Sequence, residues 1–122
     1  MRACVYLQRH QADLAQTPVR IIWCNEQQES GLPFDLKVQT LDANDNTKVT
    51  STRYIEVKAS MAHDNKLFRV TQQEMEFAAK AGPLYTVARV TGAGSQKPQL
   101  AFTTNPYRLW EEKQLDVCLY LG

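Results

Sequence analysis

The stretch from Arg53 to Ser60 constrains the fold of this chain most, because it predicts a strand that is apolar on one side and charged on the other. Successive side chains of a strand point to opposite faces of the sheet. The apolar face carries Ile55, Val57 and Ala59. The other face carries Tyr54, Glu56 and Lys58. The first face requires a hydrophobic core, and the second places a carboxylate beside an ammonium group.

A second alternating stretch lies upstream, between Gly31 and Val38. Its apolar positions are Phe34, Leu36 and Val38, and its charged positions are Asp35 and Lys37. The strand is predicted to run to about residue 41, and a polar turn over 42–46 separates it from a returning strand over 48–60. A long antiparallel hairpin is the simplest pairing, and it brings Asp35 onto the face of Glu56 and Lys58.

The rest of the sequence predicts an α+β fold, a mixed central β-sheet flanked by helices. Further strands are predicted over 19–24, 67–70, 84–90 and 99–103. Helices are predicted over 3–15, 72–81 and 107–114. The first predicted helix begins without a capping residue, which predicts that residues 1–122 are one domain taken from a larger multidomain protein.

The helix over 72–81 has the clearest boundaries. Thr71 and Glu74 form a capping-box signature at its start, and Gly82 followed by proline ends it. Its apolar stripe is predicted to comprise Met75, Ala78 and Ala79, with Phe77 at the margin. Of the two tryptophans, Trp23 and Trp110 are both predicted to pack in the core rather than to stack on bases.

Composition excludes several classes of function. The 122 residues carry a net charge of +1, so nucleic-acid binding requires a local basic patch. The candidate members of such a patch are Arg53, Lys58, Arg69 and Arg89, and dispersal over the surface is the alternative. No apolar run approaches the ~20 residues that span a bilayer, so no membrane partner is expected.

The cysteines do not predict a metal site. Cys4, Cys24 and Cys118 are widely spaced, and the two histidines, His10 and His63, are isolated, which argues against structural zinc. Reduced, buried thiols are expected, typical of an intracellular protein, which would be nuclear in a eukaryote.

Asp35, Glu56 and Lys58 together form a minimal site for a hard divalent cation and a water molecule. Mg²⁺ prefers carboxylate and water oxygens, so Asp35 and Glu56 are the predicted metal ligands, and the carbonyl of Val57 could add a third. Lys58 would orient the attacking water or neutralise charge on phosphorus. Gln72, at the start of a helix that favours anions, would bind a phosphate or the lysine.

Each of these residues also has a purely structural interpretation. Glu56 and Lys58 could form a solvated ion pair on a strand face, worth ~0–1 kcal/mol. Asp35 could be a turn residue after Pro33. Gln72 could be a first-turn helix residue that faces solvent.

A set of motifs extends this interpretation. They are the segments 23–26, 29–35, 54–58, 68–74 and 84–90, followed by Asn105-Pro106. In this set the chain resembles the C-terminal domain family of the plant NO VEIN proteins, over nearly all of its length. The resemblance implies membership of the PD-(D/E)XK nuclease-like superfamily, with a restriction-endonuclease-like fold.

The resemblance also implies roles for single residues. Asp35 matches the first acid of the superfamily motif, Glu56 the second and Lys58 the lysine. Gln72, with its neighbour Gln73, lies where some members use a helix glutamine. Many active members also carry a glutamate on the first helix, where this chain offers only Asp13.

The expected function is therefore a Mg²⁺-dependent nuclease or nucleic-acid-binding domain, with DNA favoured over RNA and no small-molecule cofactor. The alternative is an inactive nuclease-like fold that contacts DNA or a protein. The resemblance further implies a parent protein with ATPase-like or helicase-like modules, which could supply protein partners.

Overall fold

The computed structural model describes residues 17–25, 30–61 and 66–118. Five strands form one sheet: β1 (Val19–Trp23), β2 (Leu36–Leu41), β3 (Val49–Ala59), β4 (Tyr85–Thr91) and β5 (Gln99–Thr104). Two helices follow β3 and β5: α1 (Gln72–Ala81) and α2 (Pro106–Glu111). A short 3-10 helix, Gly82–Leu84, leads from α1 into β4.

The strands lie in the order β1-β2-β3-β4-β5. Every neighbouring pair is antiparallel except β3 and β4, which are parallel. Parallel neighbours need a crossover connection, and α1 lies in that connection. The predicted α+β mixed sheet is confirmed.

The β2–β3 hairpin is also confirmed. Leu36 lies opposite Ile55 in the antiparallel register, and the Asp35 N–H donates to the carbonyl of Ile55 at 2.9 Å. The pairing therefore begins one residue before Leu36, the first residue of β2. It brings Asp35 beside Glu56, on the face that the alternation predicts.

The core divides between the two faces of the sheet. One buried cluster comprises Leu36, Val38, Ile55 and Ala88. The other lies between α1 and the sheet and comprises Phe34, Ala78, Tyr85 and Val87, of which Ala78 belongs to α1. Trp23 packs against the first cluster, which confirms its predicted place in the core.

Aromatic rings fill the space between α1 and the sheet. The Phe34 ring lies 4.7 Å from that of Tyr54, and Phe77 lies 5.4 Å from Tyr85, measured between centroids. The alternation predicts Phe34 on the face of Leu36, and that prediction is wrong, because Phe34 packs with the cluster beneath α1. Phe34 precedes the first residue of β2, so the strand period does not yet apply to it.

The predicted bounds of α1 and its capping box are confirmed. Its predicted stripe is wrong in part, because Ala79 is exposed, whereas Glu74 and Ala78 are buried. Phe77 turns toward the sheet, because the rings of Tyr54 and Tyr85 lie beneath it. The helix therefore buries a carboxylate where the pattern predicted alanine.

Three other predictions are wrong. Residues 67–70 form no strand, and Leu67 is 73% exposed. Trp110 is 42% exposed rather than buried, because α2 has six residues and turns its buried Pro106 inward. Cys118 is exposed, while Cys24 is half-buried. The predicted first helix, with Cys4, His10 and Asp13, lies outside the described residues, and so does His63.

None of the helices in the described ranges is long and apolar enough to cross a membrane.

Candidate active site on the sheet face beneath helix α1

Asp35 is held by two hydrogen bonds. The Val57 N–H donates to its Oδ2 at 2.8 Å, and the Asn25 Nδ2 donates a short bond to its Oδ1. Asn25 itself is fixed, because the Ser30 N–H donates to its Oδ1 at 2.9 Å. The carboxylate of Asp35 is thus oriented by the strand on one side and by the preceding loop on the other, rather than serving only as a turn residue.

Pro33 lies just before this carboxylate and is also fixed. The buried Tyr85 hydroxyl donates to the carbonyl of Pro33 at 2.9 Å. Burial raises the pKa of Tyr85, so this hydroxyl keeps its proton and remains a donor throughout the physiological pH range. The backbone just before Asp35 is therefore hydrogen-bonded to a residue of the aromatic core.

Lys58 lies between two carboxylates. Its Nζ donates to both oxygens of Glu74, at 2.9 Å each, and lies 3.6 Å from Oε1 of Glu56. The side chains are shielded, with exposed fractions of 21% for Lys58, 13% for Glu56 and 6% for Glu74. The pair of Lys58 and Glu74 is consequently more than the solvated ion pair of the structural interpretation.

Glu74 serves the helix and the site at once. Its Oε1 accepts the Thr71 N–H at 2.9 Å, and its own N–H donates to the Thr71 hydroxyl. These are the two reciprocal bonds of a capping box. The residue that caps α1 therefore also holds the lysine in place.

The carboxyl of Glu56 is the most perturbed group of the cluster. Burial raises its pKa to about 8, and the neighbouring charges of Asp35 and Glu74 act in the same direction, while Lys58 opposes them. Desolvation and like charge both disfavour the ionised form of a carboxyl group. Glu56 therefore keeps its proton at neutral pH, because one lysine does not offset a cluster of three carboxyl groups.

Glu74 shows the opposite balance. Burial opposes its ionisation, but the bonds from the Thr71 N–H, from Lys58 and from protonated Glu56 prevail, so the pKa of Glu74 lies below its ordinary value. Glu74 thus carries the negative charge of the pair, and Glu56 keeps the proton.

Gln72 and Gln73 lie at the start of α1 and take separate directions. The Gln72 amide donates to Oε1 of Glu76 at 2.9 Å on the exposed side of the helix. Gln73 donates to the carbonyl of Gly31 at 3.2 Å. Glu74, rather than Gln72, makes the contact with Lys58.

The predicted basic patch is divided by the sheet. Lys58 and Arg89 are register partners on β3 and β4, so they share the face of the site. Arg53 is partnered with the buried Val38 and therefore lies on the opposite face. The guanidinium of Arg89 lies 5.6 Å from the centre of the Phe68 ring. Lys58 and Arg89 are thus the members of the patch that the strand register places on the face of the site.

The cluster contains oxygen donors suited to a hard cation, Asp35 and Glu56, on adjacent strands. Among the residues that the structure describes, no group of three or more histidine, cysteine, aspartate or glutamate side chains is arranged to hold a metal ion. Mg²⁺ ordinarily binds through few protein ligands and keeps several water molecules.

Two further members of the site were missed in the sequence. The capping-box signature predicts only the helix role of Glu74, and its burial on the sheet side is the sign of a second partner, Lys58. Asn25 lies just after β1, and no local pattern in the sequence predicts its contact with Asp35.

The fold and the cluster define the class: an α+β domain whose mixed sheet carries two carboxylates and a lysine beneath its crossover helix. The chain belongs to the family described as Protein NO VEIN, C-terminal, which matches residues 2–103. No solved structure matches the chain significantly.

Two plant proteins show the relationship directly. The chain is 32% identical over 93 residues to Protein NO VEIN of Arabidopsis thaliana, an alignment that covers 76% of this chain and 3% of that protein. It is 35% identical over 68 residues to Protein NO VEIN-LIKE of the same plant, covering 56% of this chain and 9% of that protein. The chain thus spans a small fraction of the length of these relatives.

Proposed function

We propose that this domain has a PD-(D/E)XK-type, restriction-endonuclease-like fold and hydrolyses phosphodiester bonds of nucleic acid, DNA in preference to RNA, with Mg²⁺. The observation that carries the proposal is the convergence of Asp35, Glu56 and Lys58 on one face of adjacent strands. The mixed sheet with a crossover helix supports the fold assignment, since it agrees with the sheet architecture that the superfamily resemblance implies.

The chemistry of the donor set fits a divalent cation. Asp35 and Glu56 would hold it, and the raised pKa of Glu56 supports this assignment, because clustered carboxylates that lack sufficient positive charge are stabilised by a cation. A bound Mg²⁺ would supply Lewis-acid stabilisation of a developing oxyanion and would acidify a water molecule.

The chain's own residues would position the metal ligands and the lysine. Asn25 and the Val57 N–H orient the carboxylate of Asp35. Glu74 holds Lys58 beside Glu56, where its ammonium would orient the attacking water or stabilise negative charge on the phosphoryl oxygens. Positioning of this kind is the main contribution that a protein makes to phosphoryl transfer.

Plasmid nicking in the presence of Mg²⁺ or Mn²⁺ tests the proposal. The wild-type chain is compared with Lys58→Ala, and the matched control is Lys97→Ala, a change at an exposed lysine in the β4–β5 loop. Nicking by the wild type and by the control, with loss in Lys58→Ala, is the expected result. Equal nicking by Lys58→Ala would refute the role of the lysine.

Metal binding is tested separately by melting temperature, because a ligand of the folded state must raise it. Mn²⁺ is expected to raise the melting temperature of the wild type and of Lys58→Ala, but not that of Glu56→Ala. A metal-independent melting temperature in all three proteins would remove Asp35 and Glu56 as a metal site.

A second function is favoured by one specific observation. Both oxygens of Glu74 engage Lys58, an arrangement that also suits a lysine with only a structural role. In that case the domain would be an inactive nuclease-like module that binds DNA or a protein. Absence of nicking together with absence of a metal effect on melting would support this alternative.

A further inference from the structure

The face of the sheet that carries the site continues beyond α1. Residues directly opposed across neighbouring strands share a face, so the face of Tyr54 also includes Lys37, its partner on β2. By the same rule Gln39, opposite Thr52, and Arg20, opposite Gln39, belong to it. The site therefore adjoins a polar surface formed by β1 and β2.

Four cations lie on this face in a diagonal line that crosses the site: Arg89, Lys58, Lys37 and Arg20. Within the described part of the sheet and its flanking residues, the carboxylates on this face, Asp35 and Glu56, both belong to the site. Positive charge therefore extends away from the carboxylates in two directions, toward β4 and toward β1.

The register sets the spacing of this line. With strands ~4.8 Å apart and a rise of ~3.3 Å per residue, the Cα atoms of Lys58 and Lys37 are about 14 Å apart, and those of Lys37 and Arg20 about 8 Å apart. The whole line from Arg89 to Arg20 is about 25 Å long by the same geometry. At ~3.4 Å per nucleotide along a strand, that length corresponds to about seven nucleotides.

The two cations on the β1–β2 side of the site, Lys37 and Arg20, are held in place without a carboxylate. Arg20 donates from Nε and Nη2 to Oε1 of Gln39, at 2.9 and 2.7 Å, which fixes the guanidinium and leaves its other N–H groups as donors. The Nζ of Lys37 lies 5.8 Å from the centre of the Phe34 ring. Among the described residues, neither Arg20 nor Lys37 forms an ion pair.

We propose that the sugar–phosphate backbone of a nucleic acid lies along this diagonal. Arg20 and Lys37 would bind phosphates on one side of the carboxylates, and Lys58 with Arg89 would bind the phosphates at and beyond the site. The proposal rests on the proposed function and extends it, because it names the path of the substrate across the sheet.

The test is the salt dependence of nucleic-acid binding, measured by fluorescence anisotropy with labelled single-stranded and duplex DNA in EDTA. The test variant is Arg20→Gln/Lys37→Gln. The matched control is Lys97→Gln/Lys113→Gln, which removes the same charge from exposed lysines outside the strands of the sheet. Circular dichroism and melting confirm that both proteins are folded.

The expected result follows from counterion release. Each lost phosphate contact on duplex DNA reduces the slope of log K against log salt by about 0.9, so the double variant should lose about 1.8. Between 50 and 200 mM salt, the affinity of the wild type should then fall about 12-fold more than that of the variant. The control should behave as the wild type.

Three outcomes are decisive. Equal slopes for the test variant and the wild type, or no binding by the wild type, would overturn the backbone path. A reduced slope in a protein that nicks no plasmid would support the path while refuting catalysis. Nicking with an unchanged slope in the double variant would refute the path and leave catalysis standing.

Discussion

The raised pKa of Glu56 predicts an unusual dependence of stability on pH. In the folded domain Glu56 keeps its proton up to about pH 8, whereas the ordinary carboxyl value is 4.5. The unfolded chain therefore binds fewer protons between these pH values, and stability is lost as the pH rises. The contribution is fully present below pH 4.5 and is lost progressively up to about pH 8.

The magnitude follows from the linkage relation, since each pH unit inside this window is worth about 1.4 kcal/mol. From pH 5.5 to 7.5, Glu56 should lower the free energy of unfolding by about 2 to 3 kcal/mol. For a chain of this size that is about 10 °C in melting temperature. Glu74, whose pKa is lowered, loses its contribution only as the pH falls below the ordinary carboxyl range, so the two windows do not overlap.

Urea unfolding of the wild type and of Glu56→Gln, in EDTA, measures the effect. Glutamine is similar in shape to the protonated carboxyl group and does not titrate. Between pH 5.5 and 7.5 the free energy of unfolding of the wild type should therefore fall by about 2 to 3 kcal/mol relative to that of the variant. Glu111→Gln, a change at an exposed glutamate, is the control. A constant difference between wild type and Glu56→Gln at both pH values would refute the reasoning.

Three further predictions concern the cluster and the core. Thr71→Ala removes the hydroxyl of the capping box and should cost about 1 kcal/mol in urea unfolding, and an unchanged midpoint would contradict its role. Asn25→Ala should weaken the Mn²⁺-induced rise in melting temperature with little effect on metal-free stability, whereas an equal rise would dismiss Asn25 as a positioning residue. Phe77→Ala should destabilise by about 3–5 kcal/mol, because its ring contacts three other aromatic rings between α1 and the sheet, and a loss below 1 kcal/mol would exclude that packing role.

The sequence predicted those parts of the fold that depend on local periodicity. The alternation around Glu56, the polar turn after β2 and the capping box at Thr71 each specify an element with its own signals, and all three are confirmed. The parallel pairing of β3 with β4 follows from the helix between them rather than from either strand alone.

The remaining features depend on contacts between distant residues. Phe34 turns to the helix side because the rings of Tyr54 and Phe77 are there, which no alternation rule contains. Residues 67–70 have the composition of a strand but pair with none of the five strands of the sheet, so propensity alone did not decide their structure. Asn25 reaches Asp35 across ten positions of the chain.

The hydrogen bonds of the cluster provide two spectroscopic reporters. The backbone amide of Val57 donates to Asp35, and that of Thr71 donates to Glu74, so each amide resonance senses the charge and position of one carboxylate. A cation bound at Asp35 would change the amide chemical shift of Val57 first. Movement of Lys58 away from Glu74 would instead change the amide chemical shift of Thr71. Two peaks in a nitrogen-15 correlation spectrum would thus distinguish occupation of the carboxylates from release of the lysine.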